Sequence, residues 1–261
     1  MEFVPVPGTE VLFSVWETRL RDFEAFVEAT GYDATEGAWT LGSDGWKQRG
    51  GSWKDPGFYQ VGVHPVVCIS WEDAKAFCKW LTDKERKAGF IGPRRQYRLP
   101  TDYEWSCAVG IGDRENSGQT PDEMNWKIRN VYPWGNDLPP PVGAGNYAGT
   151  EAKTKDWPPG LLIITGYDDG YARTSPVGSF ASNDFGINDL GGNVWEWCVD
   201  KYSTSNDRRV LRGASWVNGH TNSLLSSARA YDAPCKRRAD YGFRCVLAES
   251  RLAEFWRLLF C

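Results

Sequence analysis

Apolar residues recur at helical spacing three times in the first 110 positions and almost nowhere afterwards. The first stretch predicts a helix over residues 17–29, where Leu20, Phe23, Phe26 and Val27 share one face and Gly31 supplies a stop. The second begins at Ser70, a good N-cap, with Asp73 at the third helical position. Ala74, Phe77, Cys78 and Leu81 form its inner stripe, and Lys84 and Lys87 mark a solvated end. The third is short and opens with a capping box, Thr101-Asp102-Tyr103-Glu104, so that Trp105 and Ala108 face inward. Beyond Gly110, Pro, Gly, Asn and Asp divide the chain into segments too short for regular helices. Short strands are expected at 194–199, 209–212 and 243–247. No tandem repeat, low-complexity tract or linker interrupts the pattern. The expectation is one α+β domain over 1–261, with helices in the first half and an irregular, β-rich second half.

Composition adds one unusual feature. The 261 residues include 14 Trp, 28 Gly and 15 Pro, which points to large rings carried on a turn-rich backbone. A chain of this length buries enough surface to fold without metals or disulfides. The net charge of −4 gives no electrostatic case for nucleic acid. No basic, apolar leader follows Met1, and no apolar run reaches the ~18 residues of a membrane helix. A cytoplasmic protein without membrane insertion is expected. The seven cysteines are odd in number and lack metal-type spacing, so most are expected to be free, buried and in a reducing compartment. The segment 249–261, with Leu252, Phe255, Trp256, Leu258, Leu259 and Phe260, is apolar and expected to pack on the body, a sister chain or a partner.

Eight strings then fall in a fixed order: His64-Pro65-Val66-Val67, Ser70-Trp71, Tyr97-Arg98-Leu99-Pro100-Thr101, Tyr132-Pro133-Trp134-Gly135-Asn136, Pro176-Val177-Gly178-Ser179-Phe180, Gly192-Asn193-Val194-Trp195-Glu196-Trp197, Arg212-Gly213-Ala214-Ser215-Trp216 and Gly242-Phe243-Arg244-Cys245. Together they resemble the formylglycine-generating enzymes, or sulfatase-modifying factors. The resemblance implies a single C-type-lectin-like domain: a small twisted antiparallel sheet, two main helices and long ordered loops. It makes Trp71, Trp105, Trp134, Trp195 and Trp216 loop anchors.

The resemblance also implies a chemistry that this chain lacks the ligands to perform. Family enzymes oxidise a substrate cysteine with copper held by two thiolates, and soft Cu(I) needs such soft ligands. The second thiolate opens a Cys-x-x-Arg string; here that string is Ser226-Ser227-Ala228-Arg229, and the earlier thiolate position is Thr221. A second branch holds iron with three histidines, whereas this chain has two, His64 and His220. His64 belongs to a scaffold string and is expected to satisfy a buried hydrogen bond. Ser226 and Ser227 have no evident histidine partner, and Gly191-Gly192 leads into a strand, a poor phosphate loop. The expectation is therefore no copper, no iron and no catalytic residue. The alternatives are an oxidase-type enzyme using other residues, or a structural or regulatory interaction module.

Two binding features are implied instead. By resemblance, structural Ca²⁺ would be held by the Asn146 and Asp169 side chains with carbonyls of Tyr147 and Tyr171. A second set would be Asp189 and Glu196 with carbonyls of Gly192 and Val194; hard cations favour such oxygens. Segment 210–245 also looks like the cassette of a variable protein from a diversity-generating retroelement. Its candidate variable positions are Val217, Asn218, Gly219, Ala228, Ala230, Tyr231, Asp232, Ala233, Cys235, Arg238, Ala239, Asp240 and Tyr241. None is Lys, Trp, Gln, Glu or Met, the types that adenine-directed mutagenesis of Asn-type codons cannot yield. Lys236 must then be scaffold or come from another codon. Tyr231, Arg238, Asp240 and Tyr241 are the expected contacts to a protein or other macromolecular ligand.

Overall fold

A computed structural model describes residues 1–249, so the apolar segment 250–261 lies outside the described residues. The three expected helices are present, with a one-turn helix added. Helix α1 spans Leu20–Thr30, α2 Trp71–Lys87, α3 Asp102–Ala108 and α4 Pro121–Met124. Helix α2 is capped as expected: the Ser70 hydroxyl accepts from the Asp73 N–H at 3.1 Å and the Asp73 carboxylate accepts from the Ser70 N–H at 2.8 Å. Helix α1 starts three residues later than its periodicity suggests. Glu17 is buried and the Thr18 N–H donates to the Phe243 carbonyl at 2.8 Å, so the backbone is extended there. The helix begins instead at a capping box between Arg19 and Asp22.

Among the described residues, ten strands form three groups. Strands β1 (Phe3–Pro5), β2 (Leu12–Ser14), β5 (Arg95–Arg98) and β10 (Val246–Glu249) make an antiparallel sheet in the order β1-β2-β10-β5. The last described strand thus pairs with one of the first, Phe13 opposite Val246. A second sheet holds β8 (Ala230–Asp232), β7 (Arg209–Arg212), β6 (Trp195–Lys201) and β9 (Tyr241–Gly242), in that order. The remaining pair, β3 (Ala38–Gly42) and β4 (Gly45–Gly51), is a hairpin that docks on the chain near its other end. There the Trp39 N–H donates to Arg237 and the Trp39 carbonyl accepts from Ala239, both at 2.9 Å.

The main core lies where α1 and α2 meet these sheets. Phe77 stacks on Phe23 at 6.1 Å and takes Phe243 edge-on at 5.3 Å. A second cluster, with Phe13, Trp105, Leu190, Val210 and Val246, fills the space under α3. Trp71, Trp105, Trp195 and Trp216 are buried anchors, whereas Trp134 is half-buried and stacks on Tyr132 at 4.9 Å. Strand β6 buries Trp195 to Cys198 without alternation because both of its faces are covered. The α+β, C-type-lectin-like class expected from the sequence is the class observed. Among the described residues, no helix is long and apolar enough to cross a membrane.

Candidate functional site

The position that would carry the second copper thiolate is in the interior. Ser226 is 1% exposed, its N–H donates to the Val131 carbonyl at 2.8 Å, and its own carbonyl accepts from Arg212 Nη2 at 2.9 Å. Its hydroxyl has no partner. Thr221, at the earlier thiolate position, is exposed at the start of a 3-10 turn, Thr221–Leu224. Neither side chain offers a soft ligand. Among the described residues the cysteines lie elsewhere: Cys68, Cys78, Cys107, Cys198 and Cys245 are buried and free, and Cys235 is free and exposed. Cys78 and Cys245 face each other, sulfur to sulfur, at 3.5 Å. His64 is buried, and its Nδ1 lies 3.0 Å from the Thr174 hydroxyl, a hydrogen bond of the kind expected.

Arg229, which closes the Ser226-Ser227-Ala228-Arg229 string, serves the frame. Its guanidinium bonds Asp102 at 2.9 Å and Glu115 at 2.7 Å, and Asp102 also holds Arg212 at 2.6 Å. Arg244 of the Gly-Phe-Arg string is equally buried and forms a bidentate pair with Glu196, at 2.7 and 2.6 Å. The acidic partners Asp102 and Glu115 carried no signal in the sequence beyond a capping position.

The oxygen sets implied for calcium meet at Asn146, and all their residues lie on loops except Glu196, which belongs to β6. The Asn146 carbonyl accepts from the Asn193 N–H at 2.8 Å, joining the two. In the first set Asn146 is fully buried; its Nδ2 donates to the Arg173 carbonyl at 2.6 Å and its Oδ1 has no partner. The Asp169 carboxylate accepts from the N–H groups of Tyr147 at 2.8 Å and Tyr171 at 2.9 Å. Burial pushes Asp169 up to about 7, against the pull of those two N–H groups, and Glu151 and Asp168 add repulsion. In the second set, Asp189 accepts from the Gly178 N–H at 2.7 Å through one oxygen, and the other is unpartnered. Burial raises Asp189 to about 6. Glu196 is committed to Arg244 and to Trp105 Nε1 at 3.0 Å. Glu17, read from periodicity as a helix residue, is buried beside this set. Burial first, then Asp189 and Glu196, raise it well above the usual carboxylate range. Among the described residues no three His, Cys, Asp or Glu side chains form a group able to hold a metal. Calcium at either set would depend on main-chain oxygens beside the carboxylates, joined in the first by the Asn146 amide oxygen. The first set fits it, through an orphaned buried amide oxygen and a carboxylate with no cation beside it. The second fits less well, because Arg244 already neutralises Glu196.

The candidate variable positions separate into two groups. Val217, Ala228, Ala239, Asp240 and Tyr241 are buried. Asp240 and Tyr241, expected as contacts, are internal braces instead. Asp240 pairs with Arg238 through both oxygens at 3.0 Å, and the Tyr241 hydroxyl donates to Asp232 at 3.1 Å while its ring meets Trp197 at 5.4 Å. Asn218 and Gly219 are also tied down. The Asn218 Oδ1 accepts from the Ser215 N–H at 2.9 Å, and a Cβ on Gly219 would meet the Leu162 carbonyl at 2.4 Å. The remaining positions, Ala230, Tyr231, Asp232, Ala233, Cys235 and Arg238, are half-buried or exposed. Tyr231 is 41% exposed and lies against Tyr202 at 4.1 Å. The Arg238 guanidinium sits over Trp46 at 4.1 Å and Tyr241 at 4.7 Å. Lys236 lies over the Trp39 ring at 3.5 Å, a scaffold contact.

The fold and the ordered sequence strings together point to a lectin-like domain of the sulfatase-modifying-factor kind. Residues 14–249 match the sulfatase-modifying factor enzyme 1-like domain, and the chain belongs to that family. It is 33% identical over 210 residues to the inactive C-alpha-formylglycine-generating enzyme 2 of Bos taurus, covering 76% of this chain and 57% of that protein. It is 29% identical over 272 residues to the formylglycine-generating enzyme of Thermomonospora curvata, covering 87% of this chain and 78% of that one. The fold is shared with PvdO from Pseudomonas aeruginosa, at TM-score 0.59 and 21% identity, covering 95% and 91% of the two chains. The chain thus spans a little over half the length of the cattle relative.

Proposed function

We propose that this protein is a non-catalytic member of the family that binds a macromolecular ligand through the surface at Ala230, Tyr231, Asp232, Ala233, Cys235 and Arg238. The observation that carries the first half is the fate of the thiolate positions. A buried hydroxyl at Ser226 and an exposed Thr221 offer nothing soft enough to hold Cu(I). A direct test is oxygen uptake by the copper-treated protein with a cysteine-containing peptide. No thiol-dependent uptake is expected, and turnover would overturn the reading.

The recognition half draws support from what lies beneath those six positions. Tyr231 and Arg238 present large contact area with polar handles, as binding hot spots do. Arg238 rests on Asp240, Tyr241 and Trp46, and Tyr231 on Tyr202 and Arg208, contacts that hold both without needing a ligand. Diversification by a retroelement is the finer form of the proposal. It predicts a near-copy of the coding sequence beside a reverse-transcriptase gene, with substitutions confined to those six codons. Substitutions spread equally over buried Val217, Ala239 and Asp240 would count against it.

Calcium completes the proposal as a structural ion at Asn146 and Asp169, with the Tyr147 and Tyr171 carbonyls. It would supply charge to a buried carboxylate and brace the loops under β6. Calcium should raise the melting temperature of the chelator-treated protein, and Asn146→Ala or Asp169→Asn should abolish the increase. An equal increase in all three proteins would remove this part of the proposal.

A further inference from the structure

One surface of the molecule reverses its overall charge. Helix α2 carries Lys75, Lys79, Thr82, Asp83 and Arg86 at intervals of three and four, which aligns them on one face. Strand β5 runs beside that face. Thr82 ties the two together: its hydroxyl accepts from the Tyr97 N–H at 2.8 Å and donates to the Cys78 carbonyl at 2.8 Å. Between helix and strand lies a groove of about 350 Å³. Its floor is apolar, made by Cys78, Tyr97, Leu99 and Val199. Its rim carries Lys75, Lys79, Arg86 and Arg98 against a single acid, Asp83. In a protein of net charge −4, this is a local concentration of positive charge over a hydrophobic strip.

The partners of Lys75, Lys79 and Arg86 leave much of their charge uncompensated. Lys79 meets Asp83 at 2.6 Å, but the two side chains are 79% and 57% exposed, and such pairs contribute little. Lys75 lies over the Trp71 ring at 4.3 Å and is exposed. Arg86 donates from Nε and Nη2 to the Arg95 carbonyl, a neutral acceptor. Arg98 is paired with Glu104 at 2.6 Å and serves as a wall.

We propose that this groove is a binding site for a small organic anion, an acidic head on an apolar body. The head lies between Lys75 and Lys79, and the body covers Tyr97, Leu99 and Val199. Small-ligand sites commonly join an apolar lining to a few placed charges, and the volume lies at the lower end of their range. Opposite charge also raises the local concentration of such a ligand before contact. The site is separate from the recognition surface and does not rest on it.

Anilinonaphthalene sulfonate is a probe of this chemistry, and phenylnaphthylamine is its uncharged counterpart. Fluorescence titration should give saturable binding of the sulfonate that weakens as salt is raised. Joint replacement Lys75→Glu and Lys79→Glu should weaken it at least about tenfold. The control, Lys153→Glu with Lys155→Glu, changes the net charge equally at exposed lysines elsewhere and should leave binding within about twofold. Lys75→Gln with Lys79→Gln should weaken binding in the same direction but less, which preserves the test if charge reversal disturbs α2. Equal weakening in the reversal and control proteins, equal affinity for the uncharged dye, or no saturable binding would each overturn the proposal.

Discussion

Asp102 shows how much of this fold rests on single side chains. Its carboxylate sits between the guanidinium groups of Arg212 and Arg229, and Glu115 supplies the second negative charge. Burial alone would raise its pKa, but Arg212 and Arg229 outweigh burial and hold it below the usual range. Asp102→Asn keeps the shape and strands a buried guanidinium, so a loss of about 3–5 kcal/mol is expected in urea unfolding at pH 7. The pH dependence has a definite sign. A depressed carboxyl stabilises above its unfolded value of about 4, and that stability is lost as pH falls through the lower folded value. The variant should lack this acid-dependent loss, which paired unfolding curves at pH 7 and pH 3 would show. Arg229 was legible in the sequence as part of a string. Its partners were not, because Asp102 and Glu115 lie more than a hundred residues away and no local pattern marks them.

Elements were legible where their signals are local. The Ser70–Asp73 capping box and the apolar stripe behind it placed α2 correctly. Ser70→Ala should cost about 1 kcal/mol, read as a lower denaturation midpoint with an unchanged slope. The hairpin β3–β4 went unforeseen because β4 is largely exposed and shows no alternation. Its sequence signal is the Asp44-Gly45 pair, where Gly45 adopts φ +89° to close the turn. Gly45→Ala should lower stability by more than about 1 kcal/mol through that backbone strain. The hairpin matters beyond itself, since Trp39 bonds residues 237–239 and Trp46 supports Arg238. The start of β10 also differs from expectation. The Phe243 and Cys245 carbonyls each accept a single bond, from the Thr18 and Ser14 N–H groups, and regular pairing begins only at Val246.

At the scale of the molecule, the two ends of the described chain hold each other. Phe13 is fully buried opposite Val246, so Phe13→Ala should cost about 3–5 kcal/mol, measurable by chemical denaturation. By itself the sequence determined the three main helices, the α+β class and the family. Those are properties of residue identity and spacing, which survive without coordinates. Tertiary structure alone decided that Asp240 and Tyr241 brace the interior, that Gly219 has no room for a side chain, and that Glu196 belongs to Arg244. It also decided that four cations from a helix and a strand share one apolar groove. Each of these depends on which distant segment lies against a residue. That is set by packing among elements, and no period of 2 or 3.6 in the chain encodes it.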